Sequence, residues 1–194
     1  TGSIGCGVTL SDGVTVTVTE NSEATVVLNG EEIEMEPVQY VLESFSTTVS
    51  VDIETALPIG SGFGVSGAAA LGTALAVNEV SGEERTENEL VTIAHSAEVR
   101  AETGLGDVVA QARGGIPIRL GAGAPEFGEI DGIPGMHRIE YLSFGEVATT
   151  DVIRESDRFV SAGTEALSRL TAAPSVEKLF EIGRGFAEET GLLP

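Results

Sequence analysis

The sequence predicts an α+β domain, a β-sheet covered on one face by helices. Residues 8–54 are dominated by strand-like alternation, and residues from 65 onward mostly by helical spacing. No regular strand–helix–strand repeat links the two parts, which separates this pattern from a parallel α/β fold. With 194 residues of which 41% are hydrophobic, and a mean hydropathy of +0.17, the chain is able to bury a sizeable core.

The elements follow in order. Val14, Val16 and Val18 alternate with threonines behind the turn signal Asp12-Gly13, a half-buried strand. Asn29-Gly30 separates Ala24–Leu28 from Glu31–Met35, because a tight hairpin needs positive φ at both turn residues. Pro37–Phe45 is a short candidate helix, and Val49, Val51 and Ile53 alternate with Ser50, Asp52 and Glu54 as a strand. Leu57-Pro58 opens a glycine-rich run, and a helix follows it to Asn78. Thr86 and Glu89 form a capping box that starts the next helix. Its apolar stripe is Leu90, Ile93, Ala94, Ala97 and Ala101. A second glycine-containing segment, Gly104–Gly115, leads into a strand at Ile116–Leu120, and Arg138–Leu142 is expected to be a further strand. Two amphipathic helices come last. One carries Phe159, Ala162, Ala166 and Leu170. The other opens at Pro174, carries Val176, Leu179, Phe180 and Phe186, and ends at Gly191. The absence of an initial methionine and the stop at Pro194, just past a helix, predict a chain cut at both ends.

Charge narrows the function. There are 31 acidic and 10 basic residues, a net charge of -21, and Lys178 is the only lysine. Nucleic acid and anionic membranes both require basic patches, so neither is expected as a partner. Disorder is not expected either, because it pairs high charge with low hydrophobicity. The self-repulsion of so acidic a chain is screened at about 1 M salt, where the Debye length is roughly 3 Å. The composition therefore predicts a halophilic protein. Cys6 alone builds no disulfide framework, and with only His95 and His137 beside it a zinc site is not expected. His95 and Cys6 are both read as structural. No apolar run approaches the roughly 18 residues of a membrane span, and no signal-peptide pattern is present. The expectation is a soluble, cytoplasmic protein.

The most informative stretch is Leu57-Pro58-Ile59-Gly60-Ser61-Gly62-Phe63-Gly64-Val65-Ser66-Gly67-Ala68-Ala69. Glycines let backbone N–H groups converge on an anion, and the following helix contributes free N–H groups and its positive dipole end. Ser66 adds a hydroxyl for a phosphate oxygen or a magnesium ion. The run is neither a dinucleotide fingerprint nor a P-loop, since no lysine follows. Phosphate binding and a small-residue helix packed closely on a sheet both remain open on composition.

This stretch resembles the second motif of the galactokinase, homoserine kinase, mevalonate kinase and phosphomevalonate kinase (GHMP) superfamily, P-x-x-x-G-L-G-S-S-A. Pro58, Gly62, Gly64 and Ser66 fall in register, with Phe63 in place of leucine and Val65 in place of the first serine. The resemblance implies that Pro58, Gly60, Ser61, Gly62, Gly64, Val65, Ser66 and Gly67 wrap the ATP phosphates and that Ser66 reaches Mg2+. It also implies the fold: a ribosomal protein S5 domain 2-like N-terminal domain over residues 1–145, lacking its first strand, and the start of a C-terminal domain over 146–194.

A second segment matches independently. In the mevalonate kinase branch a catalytic aspartate precedes a Gly-Gly pair by seven and eight residues, the spacing from Asp107 to Gly114 and Gly115. An aspartate there would accept or orient the proton of an attacking hydroxyl. Taken alone, Asp107 reads first as a helix N-cap, and the Gly-Gly spacing reverses that preference. Glu98 is similar in placement to the family's magnesium-binding glutamate, although the intervening loop is about two residues shorter. It flanks the apolar stripe, and its i+4 neighbour Glu102 is a like charge, unfavourable on a plain solvated face. Arg100 and Arg113 are the nearest cations, and Arg113 is the preferred partner for a substrate carboxylate.

Five segments are most similar to the archaeal pantoate kinases: Gly2–Val8, Gly60–Ala70, Gly104–Gly115, Phe144–Glu146 with Thr149-Thr150, and Arg184–Leu192. This resemblance implies ATP and pantoate as substrates, Mg2+ as cofactor, coenzyme A biosynthesis as setting and possible homodimerisation. The superfamily's first motif has no counterpart here, and its third would lie beyond Pro194. The alternatives are a GHMP kinase for another alcohol, of mevalonate or homoserine type, a non-catalytic nucleotide-binding relative, and a structural module in which the glycines serve packing alone.

Overall fold

The computed structural model describes residues 2–143 and 156–193. The expected domain boundary at 145/146 and the segment Phe144–Glu146 with Thr149-Thr150 lie outside the described residues. The elements are β1 (Gly5–Cys6), β2 (Val14–Glu20), β3 (Thr25–Leu28), β4 (Glu31–Glu32), α1 (Glu36–Leu42), β5 (Val49–Thr55), α2 (Val65–Ser81), α3 (Glu87–Arg100), α4 (Asp107–Arg113), β6 (Ile116–Arg119), β7 (Ile130–Ile133), α5 (Ser156–Ala172) and α6 (Val176–Thr190). Mixed strands and helices in this order are the predicted α+β class.

Four strands form a sheet in the order β2-β5-β3-β4, with β5 antiparallel to β2 and parallel to β3. The alternation sets the register. Val16 faces Ile53 and Val18 faces Val51 across one pair, while Val26 and Leu28 face Val51 and Ile53 across the other. One sheet face is therefore a valine and isoleucine surface on which α2 lies, and it shares one core with Ala70, Ala74 and Val77 of α2, Val38 and Val41 of α1 and Val91 of α3. Burying each such branched side chain contributes about 1.5–3 kcal/mol. Helix α2 can lie close to β2 because Gly72 has no side chain: a Cβ there would stand 2.6 Å from Val16 Cγ2.

The local signals act as expected at several points. Asn29 and Gly30 take φ values of 51° and 87° in the β3–β4 hairpin. The Thr86–Glu89 box is reciprocal, with the Thr86 side chain accepting from Glu89 N–H and the Glu89 carboxylate accepting from Thr86 N–H at 2.7 Å. Gly191 ends α6 in the left-handed region. Strand β4 is shorter than the expected Glu31–Met35, and α6 begins at Val176 with Ser175 as its cap rather than at Pro174.

A second sheet, β1-β6-β7, carries the other core. Ile116 and Ile118 of β6 pack with Leu170 of α5 and Leu179 and Ile182 of α6, whereas Phe180 is exposed. One expected strand is absent. Among the described residues, 138–142 pair with no strand, and beside β1 the partner of β6 is Ile130–Ile133, joined antiparallel from Ile116↔Ile133 to Arg119↔Ile130. Arg138–Leu142 alternates in sequence but is largely exposed, and alternation without a paired edge makes no strand. Among the described residues no helix is long and apolar enough to cross a membrane.

Candidate active site

Three segments distant in sequence meet at the start of α2: the glycine-rich loop, the end of α3 and the start of α4. Gly60, Gly62 and Gly64 take φ values of 71°, 81° and 62°, conformations that only glycine adopts at low cost. Gly64 is the N-cap of α2 and offers no side chain to the first-turn N–H groups, which leaves them for a ligand. The loop is held from the other side as well. Phe63 packs edge-on to Tyr141 with ring centroids 4.7 Å apart, and Ser143 Oγ lies 3.2 Å from Ser61 Oγ.

Helix α4 abuts the start of α2 directly. A Cβ on Gly64 would lie 3.3 Å from Asp107 Cβ, and one on Gly67 would lie 3.4 Å from it. Asp107 is the first residue of α4 and Gly106 its cap, with no side-chain capping bond. Asp107 therefore is not the N-cap that its sequence context allowed. It opens into a cleft of about 470 Å³ whose lining includes Gly62, Phe63, Gly64, Gln111, Ile139 and Tyr141. Asp107 is exposed to the cleft; the protein crowded around it pushes its pKa up, while Arg119 pulls it down.

Glu98 is 1% exposed, far from the solvated surface residue that an acidic protein would ordinarily show there. Thr103 donates a 2.8 Å hydrogen bond to its Oε1, and the Ser66 hydroxyl interacts with the same carboxylate. Burial nevertheless pushes the Glu98 pKa up, with a further rise from Asp107. Its Oε2 is buried with no hydrogen-bond partner among the described residues. Gly104 makes this convergence possible: a Cβ there would overlap Glu98 Oε2 and lie 3.3 Å from Asp107 Oδ2. Helix α3 stops at Arg100, and Glu102 turns into the left-handed region at φ 57°. Glu102 thus leaves the helix instead of stacking over Glu98, and the turn it makes brings Thr103 back onto that carboxylate.

The predicted cations are elsewhere. Arg100 pairs with Glu43 and lies over the Tyr40 ring at 3.7 Å. Arg113 is exposed at the far end of α4, near the Gly114 carbonyl and against Gly132, away from the cleft that Asp107 lines. The cation beside Asp107 is Arg119, 4% exposed at the end of β6, which the sequence reading did not single out. Its guanidinium donates to Leu105 O at 3.0 Å, Gly123 O at 3.2 Å and Ser3 Oγ at 3.4 Å. A Cβ on Gly106 would overlap it. The one available signal was an arginine inside the apolar run Ile116–Leu120. Of the residues read as structural, His95 is buried on α3, whereas Cys6 is exposed on β1 and lines the cleft.

Oxygen donors dominate what the site offers an ion. Among the described residues no group of three or more His, Cys, Asp or Glu is placed to hold a metal by itself. The buried, unpartnered Glu98 Oε2 and the adjacent Ser66 hydroxyl suit a hard cation that takes its remaining ligands from phosphate and water.

The family model described as GHMP kinases N terminal domain matches residues 34–115, from just before α1 through the Gly114-Gly115 pair. The pantoate kinase of Thermococcus kodakarensis is 36% identical over a 210-residue alignment, spanning 100% of this chain and 69% of that protein. The pantoate kinase of Methanocaldococcus jannaschii is 31% identical over 201 residues, spanning 100% and 73%. A solved structure described as a phosphotransferase related to the CoA biosynthesis pathway superposes with a TM-score of 0.80 at 34% identity, covering 100% of this chain and 68% of that one. The Methanococcus jannaschii mevalonate kinase shares the fold at 14% identity and a TM-score of 0.57, covering 92% and 68%.

Proposed function

The chain belongs to the pantoate kinase family within the GHMP kinases, and from this we propose that it transfers the terminal phosphoryl group of ATP to the hydroxyl of pantoate, giving 4-phosphopantoate for coenzyme A biosynthesis. The acceptor oxygen forms its bond to the γ-phosphorus as the bond from that phosphorus to the β–γ bridging oxygen breaks, and ADP leaves. Asp107 takes or orients the proton of the attacking hydroxyl. The loop from Pro58 through Gly60, Ser61, Gly62, Gly64, Val65, Ser66 and Gly67 holds the phosphates through backbone N–H groups. Such transfer depends mainly on positioning and charge neutralisation, so a site with few cations is chemically sufficient. The observation that carries this reading is the cleft in which Asp107 and the glycine loop share one wall. Its test is ADP release with Mg2+ and a panel of alcohols comprising pantoate, mevalonate and homoserine. A protein that shows no preference for pantoate overturns the acceptor assignment.

Ser66 and Glu98 are the residues that would hold Mg2+, which when bound supplies charge neutralisation at the phosphates. The buried Glu98 Oε2 supports this reading, and it has a consequence for stability. A carboxyl whose folded pKa is raised destabilises the native state once the unfolded group ionises, and the penalty fades as pH falls toward the unfolded value. Glu98→Gln is therefore expected to raise the Tm of the ligand-free protein near pH 7 by roughly 2–4 °C for each kcal/mol relieved. The gain should shrink as pH falls toward 4. Activity and the Tm increase caused by Mg2+ with nucleotide should both be lost. Calorimetry of both proteins across pH, with and without Mg2+ and a non-hydrolysable nucleotide, reads all three effects. A ligand-free variant less stable than the parent at pH 7 contradicts the reading.

The acid excess supports a protein adapted to the cytoplasm of a halophile. Raising KCl from 0.1 M to 2 M should increase Tm steadily, because the repulsion among charges summing to -21 is screened. A Tm that is flat or falls over that range contradicts salt adaptation. The two C-terminal helices, packed on β6 through Leu170, Leu179 and Ile182, are proposed as the start of a C-terminal domain.

A further inference from the structure

Gln111 lies one helical turn after Asp107, on the same face of α4. Its Nε2 donates a 2.8 Å hydrogen bond to the carbonyl of Gly64, the left-handed cap of α2, across 47 residues of sequence. That carbonyl also accepts the first helical bond, from Ala68 N–H at 3.0 Å. The contact is close, since a Cβ on Gly64 would stand 2.7 Å from Nε2. The amide cannot be reversed, because Oε1 would then face the carbonyl as a second acceptor. Oε1 is buried without a hydrogen-bond partner among the described residues. An apolar side chain of the same length would avoid that unpaired acceptor, so the amide's contribution here is the bond to Gly64.

A trans peptide is planar, with C=O and N–H pointing in opposite directions. Fixing the Gly64 carbonyl therefore also fixes the direction of the Val65 N–H, one of the free donors at the start of α2. We propose that Gln111 is a positioning residue that locks the Gly64–Val65 peptide to the helix bearing Asp107, so that phosphate donor and proton acceptor hold one geometry. This rests on the kinase reading above and adds to it the residue that couples the two halves of the site.

The test uses Gln111→Met, which keeps the volume and removes the donor, and Gln111→Glu, which removes the donor and adds a charge near the phosphates. In 2 M KCl, steady-state ADP release is expected to show KM for ATP raised about tenfold in Gln111→Glu and at least threefold in Gln111→Met, an order-of-magnitude expectation for one lost charge-positioning hydrogen bond. KM for pantoate should stay within twofold in both, and the Tm of Gln111→Met should equal or exceed that of the parent. A purely structural role predicts the opposite: a lowered Tm with both KM values unchanged or moving together. Variants whose ATP KM and kcat stay within twofold of the parent overturn the proposal. Calorimetric binding of a non-hydrolysable ATP analogue separates the two ideas. If the parent binds nucleotide but does not phosphorylate pantoate, the acceptor assignment fails while the nucleotide affinities of the variants still decide the role of Gln111.

Discussion

Asp107→Asn should lower kcat by about 10²–10⁴, the range for removing a positioned proton acceptor, with little change in KM for ATP. Asparagine keeps the shape and a polar group in the first turn of α4, so the packing against Gly64 and Gly67 is preserved. The fold is not expected to suffer. Asp107 makes no capping bond to its helix, and crowding already holds its pKa above the ordinary aspartate value. The attraction to Arg119 that is lost and the crowding that is relieved oppose each other at an exposed carboxylate, so Tm should change little. This separates the catalytic reading from both alternatives. A helix-capping aspartate would lose stability and keep its rate, and a binding-only protein would keep nucleotide affinity with no turnover in either form. A fall in kcat smaller than about thirtyfold, or roughly 2 kcal/mol of transition-state stabilisation, removes Asp107 from the chemistry.

The parts of this fold that were legible in sequence are those fixed by local geometry. Asn29-Gly30 has the conformational freedom a tight hairpin requires, and Thr86 with Glu89 satisfies two backbone donors within one turn. Valine alternation in β2 and β5 sets both strand and register. What was not legible depends on partners brought from elsewhere. Strand β7 is only Ile130–Ile133, interrupted by Asp131-Gly132, and it exists because β6 presents an edge to it. Arg138–Leu142 has better alternation but no such edge among the described residues. The preference for Arg113 and the silence on Arg119 have separate geometric explanations. At about 100° per residue, Arg113 lies some 240° around α4 from Asp107, whereas Gln111 lies about 40° away. Counting residues along the chain favoured Arg113, and counting angles favours Gln111. Arg119 was hidden for a different reason. Its acceptors are carbonyls of Leu105 and Gly123 in two loops, and a carbonyl leaves no trace in sequence.

Arg119→Met is expected to be the most destabilising single change at this site, because each buried acceptor left without its donor costs about 1–3 kcal/mol. Leu105 O, Gly123 O and Ser3 Oγ would each lose a charge-assisted donor, and Asp107 would lose the cation that lowers its pKa. Lysine should recover only part of this, because an ammonium on a flexible stem cannot reach three acceptors arranged around a planar fork. Urea unfolding at fixed high salt measures the loss, and a change below about 1 kcal/mol would mean that the network does not hold the loops. The electrostatic share can be isolated from the hydrogen-bonding share. If part of the cost arises from an uncompensated Asp107, then Arg119→Met should cost less in an Asp107→Asn background than in the parent. Strictly additive effects would instead assign the whole loss to the Leu105, Gly123 and Ser3 contacts. In that case Arg119 would act on catalysis only through the placement of the loop from Gly104 to Gly106, the same loop whose missing side chain lets Glu98 and Asp107 converge.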